Sequence, residues 1–216
     1  SFWKSVLSLS AGQVIGQGIT LIATPVVSRL YTQEEYGEFG IITSTATIII
    51  GIIGLGLGSM IMVAKDDEDA KKIFRVTYLF QFMLAVLLCG AMLALSPVKC
   101  FFETTISYEA SILLMFAYIS TSALVSLLNV YVNRLKLNKA LFFNPLITAG
   151  CTLLIAIPFG FFKFGFIGLM LASIVASFLA SIHMLRYGNP FTAWVELGDV
   201  RYVIREGRKF ILFQYP

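Results

Sequence analysis

The residues of this chain best equipped for chemistry are neutral amides and hydroxyls set inside apolar runs. In the first run Ser10, Gln13, Gln17, Thr20, Thr24 and Ser28 recur every three or four positions. At 100° per residue they share a sector of roughly 80° on one helix. In the fourth run Ser111, Tyr118, Ser122, Ser126, Asn129 and Asn133 form a second such stripe. Hydrocarbon cannot satisfy these groups, so both stripes must face other helices or water. The reading taken is a water-filled cavity lined by the first and fourth runs. The alternative is simple helix–helix hydrogen bonding, which averages about 0.6 kcal/mol in measured membrane cases.

Other chemistries are less well served. The apolar runs hold no Asp or Glu beyond their end residues, so a pump's buried carboxylate is not to be found in them. His183 stands one turn from the end of the sixth run and reads as an interfacial residue more than a proton relay. Cys89, Cys100 and Cys151 have no metal spacing and read as small buried hydrophobes. The acidic stretch Lys65–Asp69 lacks the oxygen spacing of a calcium loop and reads as a solvated turn. The glycines of the second run, Gly40, Gly51, Gly54 and Gly58 with Thr43 and Thr47, share one face. No strand precedes them and no Lys-Ser/Thr follows, so close helix packing accounts for them better than a phosphate loop. No catalytic constellation and no basic, aromatic-laced patch for nucleic acid is visible.

The elements that must carry these residues are membrane helices. The chain is 58% hydrophobic and 13% charged over 216 residues, where a soluble domain carries about 25% charged residues. Six runs reach the roughly 20 residues a spanning helix needs: 6–28, 39–63, 73–95, 110–132, 141–162 and 164–185. They are too long, and too little alternating, for barrel strands. Thirteen of the sixteen basic residues fall in the start, the second and fourth connections and the tail after the sixth run. Arg29, Lys99 and Lys163 alone occupy the other connections. This alternation predicts an all-α membrane protein with six spans and a cytoplasmic N-terminus. Residues 187–209 read as a basic interfacial linker broken from the sixth span at Gly188-Asn189-Pro190, and 210–216 as the start of a seventh span. The chain therefore reads as the first part of a longer protein.

The stretch after the first span, Arg29-Leu30-Tyr31-Thr32-Gln33-Glu34-Glu35-Tyr36-Gly37, resembles a known segment. It is similar to the RLYTPEEYG-type sequence between the first two helices of polysaccharide biosynthesis membrane proteins. These are the Wzx-type flippases of the multidrug/oligosaccharidyl-lipid/polysaccharide exporter superfamily. Gln33 replaces the usual proline. The resemblance implies a transporter of two six-helix lobes around a central cavity, with this chain as the first lobe. It implies that a lipid-diphosphate-linked oligosaccharide is turned from the cytoplasmic to the periplasmic leaflet of a bacterial inner membrane by alternating access. The implied partners are that glycan and membrane lipid, with room for a coupling ion, and no cofactor or catalysis is implied.

On this reading the substrate-binding candidates are Gln13, Gln17, Thr20, Thr24, Arg29, Tyr118, Ser122, Asn129 and Asn133. Amides and hydroxyls would meet sugar, and a guanidinium fork would meet phosphate. For Arg29 two readings stand. It projects about 140° from the middle of the stripe on an ideal helix, so it either swings inward through a bend at Pro25 or snorkels to the headgroups. Arg134 and Lys136 either draw substrate to the cytoplasmic mouth or serve as ordinary inside-positive charges. The function classes left beside a flippase are a drug or cation exporter of the same fold, a membrane glycan polymerase or ligase, and a non-transporting scaffold.

Overall fold

A computed structural model of the chain describes residues 2–54, 57–94, 104–192, 195, 198–203 and 205. Cys100, Lys99, Trp194, Arg208, Lys209 and the expected seventh run at 210–216 lie outside the described residues. Among those described there are seven α-helices and no strand. They are α1 (Phe2–Leu30), α2 (Gln33–Gly54), α3 (Leu57–Val63), α4 (Asp67–Ala94), α5 (Tyr108–Arg134), α6 (Asn138–Phe161) and α7 (Phe166–Leu185). The described residues of the expected second run lie in α2 and α3. Among the described residues, α4, α5, α6 and α7 are long and apolar enough to cross a membrane.

Local sequence sets the helix starts. Ser107 caps α5, its side chain accepting from the Ala110 N–H. Asp66 caps α4, its Oδ1 accepting from the Asp69 N–H at 2.7 Å. Such caps satisfy donors that the first helical turn leaves orphaned. Between α6 and α7, Gly165 takes φ 64°, a left-handed conformation that favours glycine.

The helices pack in the order α1, α6, α7, α5, α4, with α2 laid across α4, α5 and α7. α1 is therefore an edge helix that leans chiefly on α6. The α7 seam is Ala172, Ala176 and Ala180, all fully buried at four-residue spacing. Cores form where helix faces meet: Phe74, Leu128, Tyr131 and Met184 at one end, and Ile42, Met115, Ile119 and Met170 across α2, α5 and α7.

The connections gather at two ends. At one, Arg134 reaches the end of α3, Gly188 lies against Tyr131 and Leu135, and Tyr202 bonds Asp69. At the other, Tyr31, Gly160 and Gly168 come together, and Glu38 accepts from the Thr105 N–H. These are the same two sets into which the basic residues divide. The former is called the basic end below.

One expectation about faces changes. Among the described residues the glycine face of α2 is largely open: a side chain added at Gly40 or Gly51 would meet nothing within 4 Å, and Gly58, on α3, approaches Leu127. The third span, mostly apolar, turns its polar residues inward. Thr77 and Gln81 are buried on α4, while Leu79, Phe80, Met83, Val86 and Leu87 are exposed. A helix at the edge of a membrane bundle needs one apolar face for lipid, and α4 supplies it with these residues.

Candidate functional site

The polar stripe of α1 borders an open groove whose other wall is α6. Gln13, Gln17, Thr20 and Thr24 line one side, and Asn144, Pro145, Thr148 and Thr152 the other, around about 630 Å³. Towards the basic end the groove continues into about 470 Å³ lined by Ser10, Gln13, Asn129, Asn133, Leu141 and Asn144. Gln13, Asn144 and Pro145 belong to both parts, which makes the groove continuous.

Two glycines bring these walls together. A side chain on Gly12 would stand 2.5 Å from the Phe142 carbonyl oxygen, and one on Gly16 3.0 Å from Pro145 Cβ. Such contact is possible only without a Cβ, as in the small-residue seams of membrane helices. Gly12 and Gly16 are spaced i, i+4, and Gln13 and Gln17 follow each by one residue. The glycine pair therefore grips α6 while the glutamines stand at the groove's edge.

The hydroxyls and amides behave differently. Thr20 Oγ1 donates to the Gly16 carbonyl, Thr24 Oγ1 to the Thr20 carbonyl at 2.8 Å and Thr152 Oγ1 to the Thr148 carbonyl at 2.8 Å. Their protons are satisfied within their own helices, and lone pairs remain open. The amides of Gln13 and Gln17 are exposed and bond to no described residue. All groove-lining side chains are uncharged. The site can exchange hydrogen bonds with water or hydroxyl-rich groups, and offers no counter-charge.

The fourth span meets the groove only near the basic end. Asn129 and Asn133 line it there, and Asn144 Nδ2 donates to Asn129 Oδ1 at 3.2 Å. Ser122 is half-buried on α5 and Tyr118 packs against the apolar cluster of α2, α4 and α5; neither belongs to the groove lining. The first and fourth spans together wall only the part of the groove near the basic end, and the fifth span, α6, lines both parts opposite α1. The reason is the close seat that Gly12 and Gly16 give to α6. Asn144, Thr148 and Thr152 are groove residues missing from the candidates, although their i, i+4, i+8 spacing marked them as one face.

Arg29 is exposed near the end of α1, about a turn and a half beyond Thr24. It is not part of the groove lining. The motif around it is mainly a joint. Tyr31 is buried, and its Oη donates to the Ala156 carbonyl of α6 at 2.6 Å. Gly160 and Gly168 leave the space into which Tyr31 fits. Burial first, then Tyr36 and Glu35, push its phenol up from 10.0 to about 12. Thr32 and Glu35 form a reciprocal capping box at the start of α2: the Thr32 N–H donates to Glu35 Oε2, and the Glu35 N–H to Thr32 Oγ1.

At the basic end Arg134 is structural. Its Nη1 donates to the carbonyls of Ile61 and Met62 at 3.1 and 3.3 Å, and its Nε lies 3.6 Å from Asp67. It thereby satisfies carbonyls that end α3. Lys136 sits exposed in the turn with φ 55°. The acidic stretch is likewise spent on the fold: Glu68 pairs with Lys71 at 2.9 Å, and Asp69 accepts from Tyr202 at 3.0 Å. Among the described residues no three His, Cys, Asp or Glu converge on a metal position.

A family model described as polysaccharide biosynthesis protein matches residues 2–215. No curated protein matches the chain. No solved structure matches it either.

Proposed function

The chain belongs to the polysaccharide biosynthesis protein family, and from that membership we propose that it is one lobe of a flippase for a lipid-linked oligosaccharide. In this reading six spans, counting α1 and the α2–α3 pair, form a lobe with a cytoplasmic N-terminus in a bacterial inner membrane. A second lobe faces the α1–α6 groove, and the protein transports without catalysing a covalent step. The glycan head crosses between the lobes by alternating access while its lipid tail stays in the bilayer.

The observation that carries this reading is the exposed amide pair Gln13 and Gln17 in an uncharged groove of about 630 Å³. An amide in hydrocarbon without a partner costs about 2–7 kcal/mol, depending on the reference solvent. Two of them on one helix face call for water or a polar ligand. Hydroxyl-rich sugar supplies donors and acceptors and needs no counter-charge. The diphosphate needs a cation, and Arg29, exposed beyond Thr24, is the candidate at the end away from the basic connections. A cationic drug fits less well, because no carboxylate lines this groove.

The test is Gln13→Leu with Gln17→Leu in the full-length protein. Cells should accumulate the glycan lipid on the cytoplasmic side and lose most surface polysaccharide, at unchanged protein level. Normal surface polysaccharide in the double variant would refute the groove as the sugar's path.

A further inference from the structure

We propose that Asn144 determines specificity for the transported head group, reading an unsubstituted sugar hydroxyl together with Asn129. The proposal rests on the transport reading above. Asn144 is 5% exposed, and it borders both parts of the groove. Its Nδ2 is used by Asn129, while its Oδ1 is buried and has no partner. A buried amide oxygen without a donor is destabilising, so an incoming donor gains more here than at an exposed position.

A second acceptor lies in the same place. Pro145 has no N–H to give the Leu141 carbonyl, and Leu141 borders the same part of the groove. The ligand group must therefore donate. It must also be neutral, because every side chain lining both parts is uncharged and a phosphate or carboxylate would lose its hydration with no counter-charge. A hydroxyl meets both demands. It is donor and acceptor at once, so it serves the Asn129–Asn144 pair whichever way the two amides are turned. An ether or ester at that position cannot donate and would leave the Asn144 oxygen orphaned.

The experiment uses proteoliposomes holding the full-length protein. They are loaded with the lipid-diphosphate glycan extracted from cells that lack the protein, either native or with its hydroxyls methylated. An impermeant diphosphatase reads the outward-facing fraction. The native glycan should cross about tenfold faster than the methylated one, because a site built to bond a hydroxyl rejects an analogue without it. Asn144→Leu should bring that ratio to within about twofold of one, chiefly by slowing the native glycan. Asn144→Ser, which keeps a polar oxygen, should retain part of the preference. Where Asn144→Leu gives no monodisperse protein, Asn129→Ala is read by the same ratio. An unchanged ratio, or equal slowing of both glycans as loss of a helix tie would give, overturns the proposal. Failure of the wild type to move either glycan overturns the transport reading itself.

Discussion

Tyr31 has a role that its neighbours in the sequence do not show. Beside Arg29 and Glu34 in the sequence, it looks like part of a charged surface segment. It is instead a plug, seated between Gly160 and Gly168 with its hydroxyl on the Ala156 carbonyl. Tyr31→Phe keeps the ring and removes the donor, so it should lower stability by about 0.5–1.5 kcal/mol in detergent unfolding of the full-length protein. The pH dependence follows from the phenol's shift from 10.0 to about 12. The fold favours the protonated form, so this contribution is whole below pH 10 and is lost as pH rises from 10 to 12. Wild type should lose more stability over that interval than Tyr31→Phe, and equal losses would contradict the assignment. The polarity of the groove was legible because amides inside apolar runs have few other uses. The role of Tyr31 was not, because its partners lie 125 or more residues away.

At the scale of the helix, two sets of glycines have opposite fates. The second run advertises its glycines, yet Gly40 and Gly51 face open space. Gly12 and Gly16, which let α1 approach the α6 backbone, are inconspicuous among the polar residues of the first run. Periodicity identifies a small face but not which neighbour comes to it. That depends on the packing order, which places α1 against α6 instead of α5. Gly12→Val should force α1 away from the Phe142 backbone, costing about 1–3 kcal/mol and lowering the yield of folded protein. Gly18→Ala, where nothing lies within 4 Å, should leave both unchanged. Thermal unfolding and size-exclusion profiles of the two variants distinguish them. The four long apolar helices α4, α5, α6 and α7 and the division of connections into two ends were legible, since both follow from run length and charge placement.

For the whole molecule, the proposed two-lobe reading makes the exposed stripe of α1 a wet surface bordering the other lobe. Single cysteines at Gln17 and Thr20 in the full-length protein should therefore react with a water-soluble maleimide in membranes. A cysteine at Ser181, which is 1% exposed on α7, should not. Equal protection of all three would place the stripe in a dry contact. The groove is also bracketed: Gly12 and Gly16 hold α1 to α6 near one end, and Tyr31 locks it against Ala156 and Gly160 near the other. A gap held at both of its margins is like the fixed jaw of a vice. Under the proposed transport reading it keeps its width while something else travels, so the gating stroke would belong to whatever stands across from it.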